Sequence, residues 1–418
     1  MRTYRELFRT KEFTPLFLTS AAHIAAQTVS GLALGTLVFT ATGSPLLSAL
    51  AMFGPNLAQV VGATTLLSAA DRLPPRATLT IVAFVFALGT AVTALPGLPI
   101  GAALAIVLGL GVVSALGGGV RLGLLNEILS TEGYLLGRST LNMSSGLMQI
   151  GGFATGGVLL LVLSPRGTLL TGAALYLTSA VVARFGLGRR PPRSAGRPSI
   201  AATWRNNALL WASPPRRRVF LGLWVPNGLV VGCESLYVPY APQHAGLLFA
   251  AGAAGMLTGD ILIGRFVPRR WRTHLAVPML LLLAAPHLLF VLGPPLPLAL
   301  AAVMVATVGY AASLVLQERL MELTPGDLSG HALGLHSAGM MAMQGVCALL
   351  AGAVAELTSP ATGIAVLAAA SMTVTLALAR GLRARADVGA DVAGSVVRTR
   401  TADAVPPSPG SPVGTDTA

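Results

Sequence analysis

The sequence predicts an all-α membrane protein with twelve membrane-spanning helices arranged as two six-helix halves. Of its 418 residues, 54% are hydrophobic and only 10% are charged, whereas a soluble domain typically carries about 25% charged residues. The charged residues fall between long apolar segments, and polar residues recur at corresponding places in the two halves. This composition excludes a soluble enzyme, a disordered scaffold and a disulfide-stapled secreted protein.

Twelve apolar segments are long enough to cross the hydrocarbon core, which takes about 20 residues in a helix. They must be helices, because an open strand would leave backbone groups without hydrogen-bond partners in lipid. Very short connections such as Ala41–Ser44 and Pro96–Gly97 force neighbouring helices to be antiparallel. The predicted segments are Thr14–Thr40, Pro45–Ala70, Ala77–Leu95, Leu98–Val120, Ser139–Leu163, Thr168–Leu187, Val219–Tyr240, Ala245–Phe266, Leu275–Leu292, Leu296–Leu316, Ala332–Leu357 and Thr362–Leu378.

The basic residues distinguish the two sides of the membrane. Of the 28 basic residues, all except Arg166 fall in the termini or in connections on one side. The positive-inside rule makes that side cytoplasmic. We therefore expect a multi-pass protein of the plasma membrane with both termini in the cytoplasm. Because the charges lie in connections rather than on one exposed basic face, nucleic-acid binding is not predicted.

The same charge pattern divides the chain into five stretches. They are an N-terminal cytoplasmic segment (1–13), a first six-helix bundle (14–188), an Arg- and Pro-rich cytoplasmic linker (189–218), a second six-helix bundle (219–381) and a cytoplasmic tail (382–418). The linker is predicted to contain a helix around Ile200–Trp211. The tail is disordered by composition.

The opening stretch Met1–Lys11 combines basic and large apolar residues. This pattern predicts a short amphipathic helix on the inner leaflet, with Tyr4, Leu7 and Phe8 facing lipid.

Polar residues repeat between the halves at an offset of 195 residues. Glu127 then aligns with Glu322, and Gln149 aligns with Gln344. Matches at Glu132/Asp327, Gly157/Gly352, Ser164/Ser359 and Pro165/Pro360 follow the same offset. Two homologous halves around a central linker are how many secondary transporters are built.

The loop after the second segment resembles the cytoplasmic signature of the major facilitator superfamily, in particular its drug-exporter-like members. That signature has a glycine, three residues, Asp-Arg, then a glycine and a basic pair. Asp71-Arg72 and Arg76 match it, while Leu67 and Pro74 replace the glycines. The stretch Ile150–Gly157 approximates the antiporter-type signature of the fifth helix, with Gly152 in place of its proline. The resemblance extends to about Arg385 and implies the major facilitator fold.

The resemblance also implies roles for residues near the predicted cytoplasmic ends of the helices. Asp71, Arg72, Arg76 and Arg121 are expected to gate the inner side, with Asp71 pairing with Arg121 or with a helix N-terminus. Topology-setting charge is the alternative explanation for these residues. Separately, small residues allow close helix approach, so helix-packing positions are predicted at Gly151, Gly156 and Gly157.

Ionisable groups inside spanning helices cost about 2.5–3.5 kcal/mol to insert and are therefore candidates for function. Glu234, in the outer half of the seventh segment, is the first candidate for proton coupling. The alternative is that it pairs with an outer loop. Asp260 and His23 are further candidates. Asp260 could instead form a salt bridge with Arg265, and His23 could be a core histidine bonded to Gln27.

Polar side chains inside the segments supply candidates for a substrate cavity between the halves. Met340 and Met343 lie on one helix face with His336. The alternative to a cavity wall is that this stripe packs against neighbouring helices, as methionine stripes usually do. The cavity candidates are Gln27, Asn142, Gln149, Asn227, His336 and Gln344.

These observations predict a monomeric, proton-coupled secondary transporter that exports a small amphipathic or drug-like molecule by alternating access. Its partners would be the substrate, protons and the lipid bilayer. No cofactor is predicted, since no Walker motif occurs and Cys233 and Cys347 have no metal-binding spacing. The alternatives are proton-coupled uptake of a small metabolite and a transport-inactive binding or scaffold protein. A membrane enzyme would need a His-Glu-x-x-His pair or facing catalytic carboxylates, which the sequence lacks.

Overall fold

The computed structural model describes residues 4–70, 73–129, 131–191, 200–325 and 328–383. Within these ranges the chain forms helices and turns, and no strand occurs. Twelve helical segments among the described residues are long and apolar enough to cross a membrane. The predicted fold class and the number of spanning helices are therefore confirmed.

The first half consists of one short helix and six spanning helices. Their bounds are α1 (Tyr4–Arg9), α2 (Phe13–Thr42), α3 (Pro45–Ala70), α4 (Pro75–Thr93), α5 (Ile100–Ile128), α6 (Thr131–Val162) and α7 (Pro165–Gly186). Helix α8 (Ile200–Ala212) follows and corresponds to the helix predicted in the linker.

The spanning helices of the second half are more often interrupted. The seventh span is α9 (Pro214–Ser235) with α10 (Tyr237–Tyr240), and the eighth is α11 (Ala245–Ile261) with a π-helical turn (Leu262–Phe266). The ninth is α12 (Arg269–Ala284) with a 3₁₀ helix (Ala285–Leu292), and the tenth is α13 (Leu296–Val308), a 3₁₀ turn (Gly309–Ala311) and α14 (Ala312–Glu322). The last two are α15 (Ser329–Leu357) and α16 (Pro360–Arg383).

Local sequence explains where many helices begin and turn. Five of the helices start at a proline (Pro45, Pro75, Pro165, Pro214 and Pro360), where the missing N–H costs no intrahelical hydrogen bond. Glycines with positive φ close three short connections: Gly43 (67°), Gly97 (80°) and Gly293 (59°). Glycine adopts this conformation without steric penalty, so consecutive helices reverse direction within a few residues.

Several helices extend past the predicted segment ends. Helix α5 continues from the predicted end at Val120 to Ile128, and α9 begins at Pro214 rather than Val219. The tenth span ends at Glu322 instead of Leu316. Apolarity marks only the lipid-embedded part, whereas backbone hydrogen bonding carries a helix on into polar residues.

The orientation predicted for α1 is wrong for Leu7. This side chain is fully buried and packs in a cluster with Phe13 and Leu16, while Tyr4 and Phe8 are exposed. A turn in which the N–H of Thr10 donates to the carbonyl of Leu7 folds α1 back toward α2. Burial against the protein therefore replaces the predicted contact of Leu7 with lipid.

The two halves meet through α3 with α15 and α6 with α11. We call the side that carries α1 and α8 the linker side, and the opposite side, where Gly43, Gly97 and Gly293 turn the chain, the distal side. Near the distal side, the backbones of Gly157 in α6 and Gly246 in α11 touch, and so do those of Gly352 in α15 and Leu46 in α3.

Toward the linker side, the facing surfaces of α6 and α11 are no longer in contact. Met143 lies on the same face of α6 as Gly157, as the helical periodicity requires, and it is 65% exposed. On α11, Leu257 lies on the face of Gly246 and is 41% exposed. The halves are therefore sealed at the distal side and separated by a cleft that opens on the linker side.

Two contacts fix the chain where it passes from one half to the other. The Arg190 guanidinium forms ion pairs with Glu12 (3.1 Å) and Glu127 (3.5 Å), both in the first half. Helix α8 packs on the second half, where Leu210 joins a buried cluster and Trp211 stacks on Trp224 at 5.7 Å between ring centroids. The linker thus begins attached to one half and ends attached to the other.

Candidate functional site

Glu234 lies near the distal end of α9 and pairs with a tyrosine from the tenth span. The Tyr310 hydroxyl donates a hydrogen bond of 2.9 Å to Glu234 Oε1. A mid-span 3₁₀ turn (Gly309–Ala311) places Tyr310, which is itself buried. Glu234 is partly buried, and within the described ranges no basic side chain forms an ion pair with it. A carboxyl between spanning helices thus has a neutral partner and no counter-charge.

A second polar pair lies in the same half. The Tyr237 hydroxyl is 2.8 Å from His287 Nε2, and His287 Nδ1 is 3.2 Å from the Leu283 carbonyl oxygen. Because a carbonyl only accepts, Nδ1 carries the proton, so Nε2 of the neutral ring accepts from Tyr237. Tyr237 and His287 are fully buried.

Sequence reasoning missed His287, Tyr237 and Tyr310. His287 lies inside an apolar segment, so the criterion that selected His23 could also have found it. The two tyrosines gave no such signal, because their importance depends on partners that are distant along the chain.

Two predicted cavity residues, Asn227 and Gln344, are brought together. Gln344 Nε2 donates to Asn227 Oδ1 at 3.1 Å, which joins α15 to α9. His336 is 6% exposed; its backbone carbonyl accepts from Trp224 Nε1 at 3.1 Å, while its Nδ1 has no hydrogen-bond partner in the part of the chain that the structure describes. Because the neighbouring Gly345 packs on Leu57 of α3, this amide pair lies close to the boundary between the halves.

Asp260 lies at the linker-side mouth of the cleft. It is exposed and shares the α11 face of Gly246 and Leu257 at helical spacing. Among the residues that the structure describes, Asp260 forms no ion pair with Arg265. Gln149 is exposed on α6, while the Asn142 side chain lies outside the described set.

His23 lies inside the first half and makes aromatic contacts. Its ring packs edge-on against Phe86 and Tyr176, each at 4.9 Å between centroids. A hydrogen bond from His23 to Gln27 is the expectation for a core histidine. Among the described residues no such bond is present. Gln27 instead lines a cavity within this half.

The predicted gating residues are only partly described. Asp71 and Arg72 lie outside the described residues, so their pairing stays a prediction. Arg76 is partly buried at the start of α4. Arg121 Nη1 donates to Ser20 Oγ at 3.3 Å, which ties α5 to α2 on the linker side.

The three predicted packing glycines differ in their surroundings. Gly157 meets the backbone of Gly246 across the two halves, and a Cβ added at Gly156 would lie 3.4 Å from Val29 Cα in α2. Gly151 is not at a helix contact, because an added Cβ there would meet no atom within 4 Å. It lies six positions before Gly157, so it is about a third of a turn away from the face of α6 that meets α11.

A hydrogen-bonded contact closes the distal side. Glu356 Oε2, near the end of α15, accepts from Ser44 Oγ at 2.9 Å and from the backbone N–H of Leu46 at 3.3 Å. Ser44 also caps α3 by accepting from the N–H of Leu47 at 3.2 Å. A carboxylate at a helix N-terminus meets unpaired N–H groups and the positive end of the helix dipole. We call these bonds the distal latch.

Glu356→Ala is expected to weaken distal closure. Capping interactions contribute about 1 kcal/mol, so the population open at the distal side should rise about fivefold. Spin labels at Leu163 and Leu247, both exposed at the distal ends of α6 and α11, would report the change as a larger share of long distances. Thr358→Ala is the matched control, because among the described residues that hydroxyl bonds to the carbonyl of Val354 in the adjoining helix α15 and not to α3. Equal distance distributions for Glu356→Ala and wild type would contradict a latch.

Solved structures of transporters share this fold. A mutant of the nucleoside transporter NupG aligns with a TM-score of 0.66 at 13% identity, covering 88% of this chain and 99% of its own. A POT family transporter in complex with a thioalcohol-conjugated peptide aligns at 0.65 and 11% identity, covering 88% and 95%. A bacterial homologue of the human lysosomal transporter Spinster, inward-facing and unoccupied, aligns at 0.64 and 14% identity, covering 92% and 97%.

No family model and no curated protein sequence matches this chain. At identities of 11–14%, the structural likeness establishes the fold alone. The chain therefore has the major facilitator fold, in two six-helix halves.

Proposed function

We propose that this chain is a proton-coupled secondary transporter that exports a small amphipathic or drug-like molecule by alternating access. The two-half fold with one sealed and one open side supports this, because transporters of such folds work by rocking one half against the other around a central site. The structural neighbours are named as nucleoside, peptide and Spinster-type transporters. The protein acts as a monomer in this proposal.

The distribution of basic residues supplies the orientation. The linker side carries the arginine-rich connections, so it faces the cytoplasm by the positive-inside rule. The plasma membrane is the proposed location. The cleft then opens inward, where an exporter loads its substrate.

The observation that carries proton coupling is the Glu234–Tyr310 pair. An ionised carboxylate that is cut off from water without a counter-charge is costly. The carboxyl group therefore favours binding a proton, or a cationic substrate, before the cleft closes around it. Release of that proton on the other side of the membrane would make the cycle depend on the proton gradient. Asp260 at the cleft mouth and His23 in the first half are the alternative proton carriers.

The remaining candidates have complementary roles in this proposal. The Asn227–Gln344 amide pair presents hydrogen-bonding groups to an uncharged part of the substrate, with His336, Gln27, Gln149 and Asn142 as further cavity residues. The linker-side gate would use Asp71, Arg72, Arg76 and Arg121. The distal latch holds the opposite side shut until the substrate is loaded.

Compound accumulation in cells tests the function as a whole. Cells that express the protein should accumulate less of at least one compound in an amphipathic panel than cells with an empty vector. A protonophore should abolish the difference, because export against a gradient needs the proton gradient. The measurement is the compound retained per cell after a fixed time.

The alternatives give different results in the same experiment. Higher accumulation that a protonophore abolishes would indicate proton-coupled uptake and contradict export. Equal accumulation of every compound would favour a transport-inactive binding or scaffold protein.

A further inference from the structure

Helix α8 presents large apolar side chains on the face that points away from the second half. Leu210 is buried on that half, whereas Trp204 and Leu209 are 68% and 52% exposed. Arg205, which lies between them in the sequence, is also exposed. In water this face would keep its apolar surface hydrated, which is unfavourable. Apolar rings combined with a basic side chain are typical of a helix that lies in the headgroup layer of a bilayer.

Two contacts place α8 at the level of the membrane surface. Asn206 Nδ2 is 3.3 Å from Nε2 of His331, which lies in the first turn of α15. Further along α8, Trp211 stacks on Phe220 with 6.3 Å between ring centroids, in the second turn of α9. Both partners lie at the linker-side ends of spanning helices. Helix α8 therefore lies across these ends, at the boundary between lipid and water.

The arginines around α8 have no acidic residue near them in the sequence. No Asp or Glu occurs from residue 133 to residue 233, a stretch that contains all of α8 and most of α9. Arg217 and Arg218, near the start of α9, are exposed. Among the residues that the structure describes, Arg205, Arg217 and Arg218 form no ion pair. Their positive charges are therefore not compensated within the protein.

Local contacts join these arginines into one surface. Arg216 Nη2 donates to the Leu209 carbonyl oxygen at 3.1 Å, which connects the start of α9 to the end of α8. The Arg218 side chain lies against Gly381, near the end of α16. We call the resulting surface the basic patch; it consists of Arg205, Arg216, Arg217, Arg218 and the exposed Arg380.

The first half carries a similar helix at the corresponding place. Phe8-Arg9 of α1 and Trp204-Arg205 of α8 each precede the first span of their half, at an offset of 196 residues. Phe8 is 40% exposed, and Arg9 is exposed too. An exposed aromatic ring followed by an exposed arginine thus occurs on the linker side of both halves. Aromatic belts and basic residues are characteristic of the region where a protein meets the bilayer surface.

Charge and position together indicate the partner. Anionic phospholipids present negative headgroups at this level and attract basic segments, with about fivefold in affinity for each basic residue near the surface. Their acyl chains would cover Trp204 and Leu209, which the protein leaves exposed. An acidic soluble protein would match the charge of the basic patch but not the position of α8 at the lipid boundary.

We propose that α8 and the basic patch form a binding surface for the headgroups of anionic phospholipids in the leaflet on the linker side. The surface goes beyond the proposed function, because lipid binding here requires neither proton coupling nor a direction of transport.

Quenching of Trp204 by brominated lipids tests the proposal. The purified full chain is reconstituted in phosphatidylcholine nanodiscs that contain a fixed fraction of either brominated phosphatidylglycerol or brominated phosphatidylcholine. The Trp204 signal is the difference in emission between wild type and Trp204→Phe. Brominated phosphatidylglycerol should quench this signal about twofold more than brominated phosphatidylcholine at low salt. High salt should reduce the difference, because it screens charges near the surface.

A double variant tests the role of the arginines. Arg205→Gln combined with Arg217→Gln should remove the preference for phosphatidylglycerol. Both side chains are exposed, so the variant is expected to fold and to keep the unfolding temperature of wild type in phosphatidylcholine alone. Arg184→Gln is the matched control and should keep the preference, because Arg184 is exposed on the linker side of the first half, over the Phe185 ring.

Several results would overturn the proposal. No quenching by either lipid would place Trp204 outside the bilayer. Equal quenching by the two lipids, or a preference that survives the double variant, would show that these arginines do not select anionic headgroups. If soluble polyglutamate changes the Trp204 emission and brominated phosphatidylglycerol does not, the surface binds an acidic polypeptide instead. Because the readout is fluorescence of purified protein, a failure of transport in cells leaves this result unaffected.

Discussion

Glu234→Gln is expected to make the conformational equilibrium of the protein independent of pH. Glutamine keeps the shape and the hydrogen bond to Tyr310 but cannot gain or lose a proton. The variant should therefore stay, at every pH, in the distribution that the wild type adopts when protonated. Transport driven by a pH gradient should fall at least tenfold, which corresponds to about 1.4 kcal/mol of lost coupling.

The measurement needs no known substrate. Spin labels at Met143 and Leu257, exposed on facing helices of the cleft, report its width on the linker side. Wild type should show a pH-dependent change in this distance distribution, and Glu234→Gln should show none. Tyr310→Phe keeps the carboxyl and should keep a pH-dependent transition. If Asp260→Asn removes the pH dependence and Glu234→Gln does not, the coupling carboxyl is Asp260.

Gly157→Leu is expected to force the halves apart at the distal side. A Cβ at this position collides with the backbone of Gly246, which cannot move aside as a side chain can. Overpacking costs about 1–3 kcal/mol. This is enough to raise the ratio of molecules open at the distal side to molecules closed there by about 5- to 150-fold. The labels at Leu163 and Leu247 should then report mainly long distances.

A second glycine of the same helix serves as the control. Gly151→Leu places the same side chain in open space, so the distal distances should match those of wild type. If both variants lengthen the distance equally, a general effect on α6 explains the result. Unchanged distances in Gly157→Leu would show that this contact does not hold the distal side closed.

The fold could be predicted from sequence because its determinants are local. Length and apolarity mark a spanning helix within a single stretch of chain, and the helices must satisfy their own backbone groups in lipid. Helix ends were predicted less well, as at Ile128 and Pro214, because hydropathy stops at the lipid boundary and helical hydrogen bonding does not.

The site could be predicted only in part. Glu234 stood out as an ionisable residue in a span, but its partner Tyr310 lies 76 residues away. That pairing depends on a 3₁₀ turn in the tenth span (Gly309–Ala311), which no local sequence pattern predicts. Whether a glycine such as Gly151 or Gly157 is at a helix contact depends on which helix packs against its face, a property of the tertiary structure rather than of the residue.

The attachment of the linker at both of its ends limits how far the halves can move. Arg190 is held by Glu12 and Glu127 in the first half, and α8, which begins at Ile200, is docked on the second. The covalent tether between these anchors can span at most about 35 Å. The chain thus sets an upper bound on the amplitude of any rocking motion, even where no side chain crosses the gap.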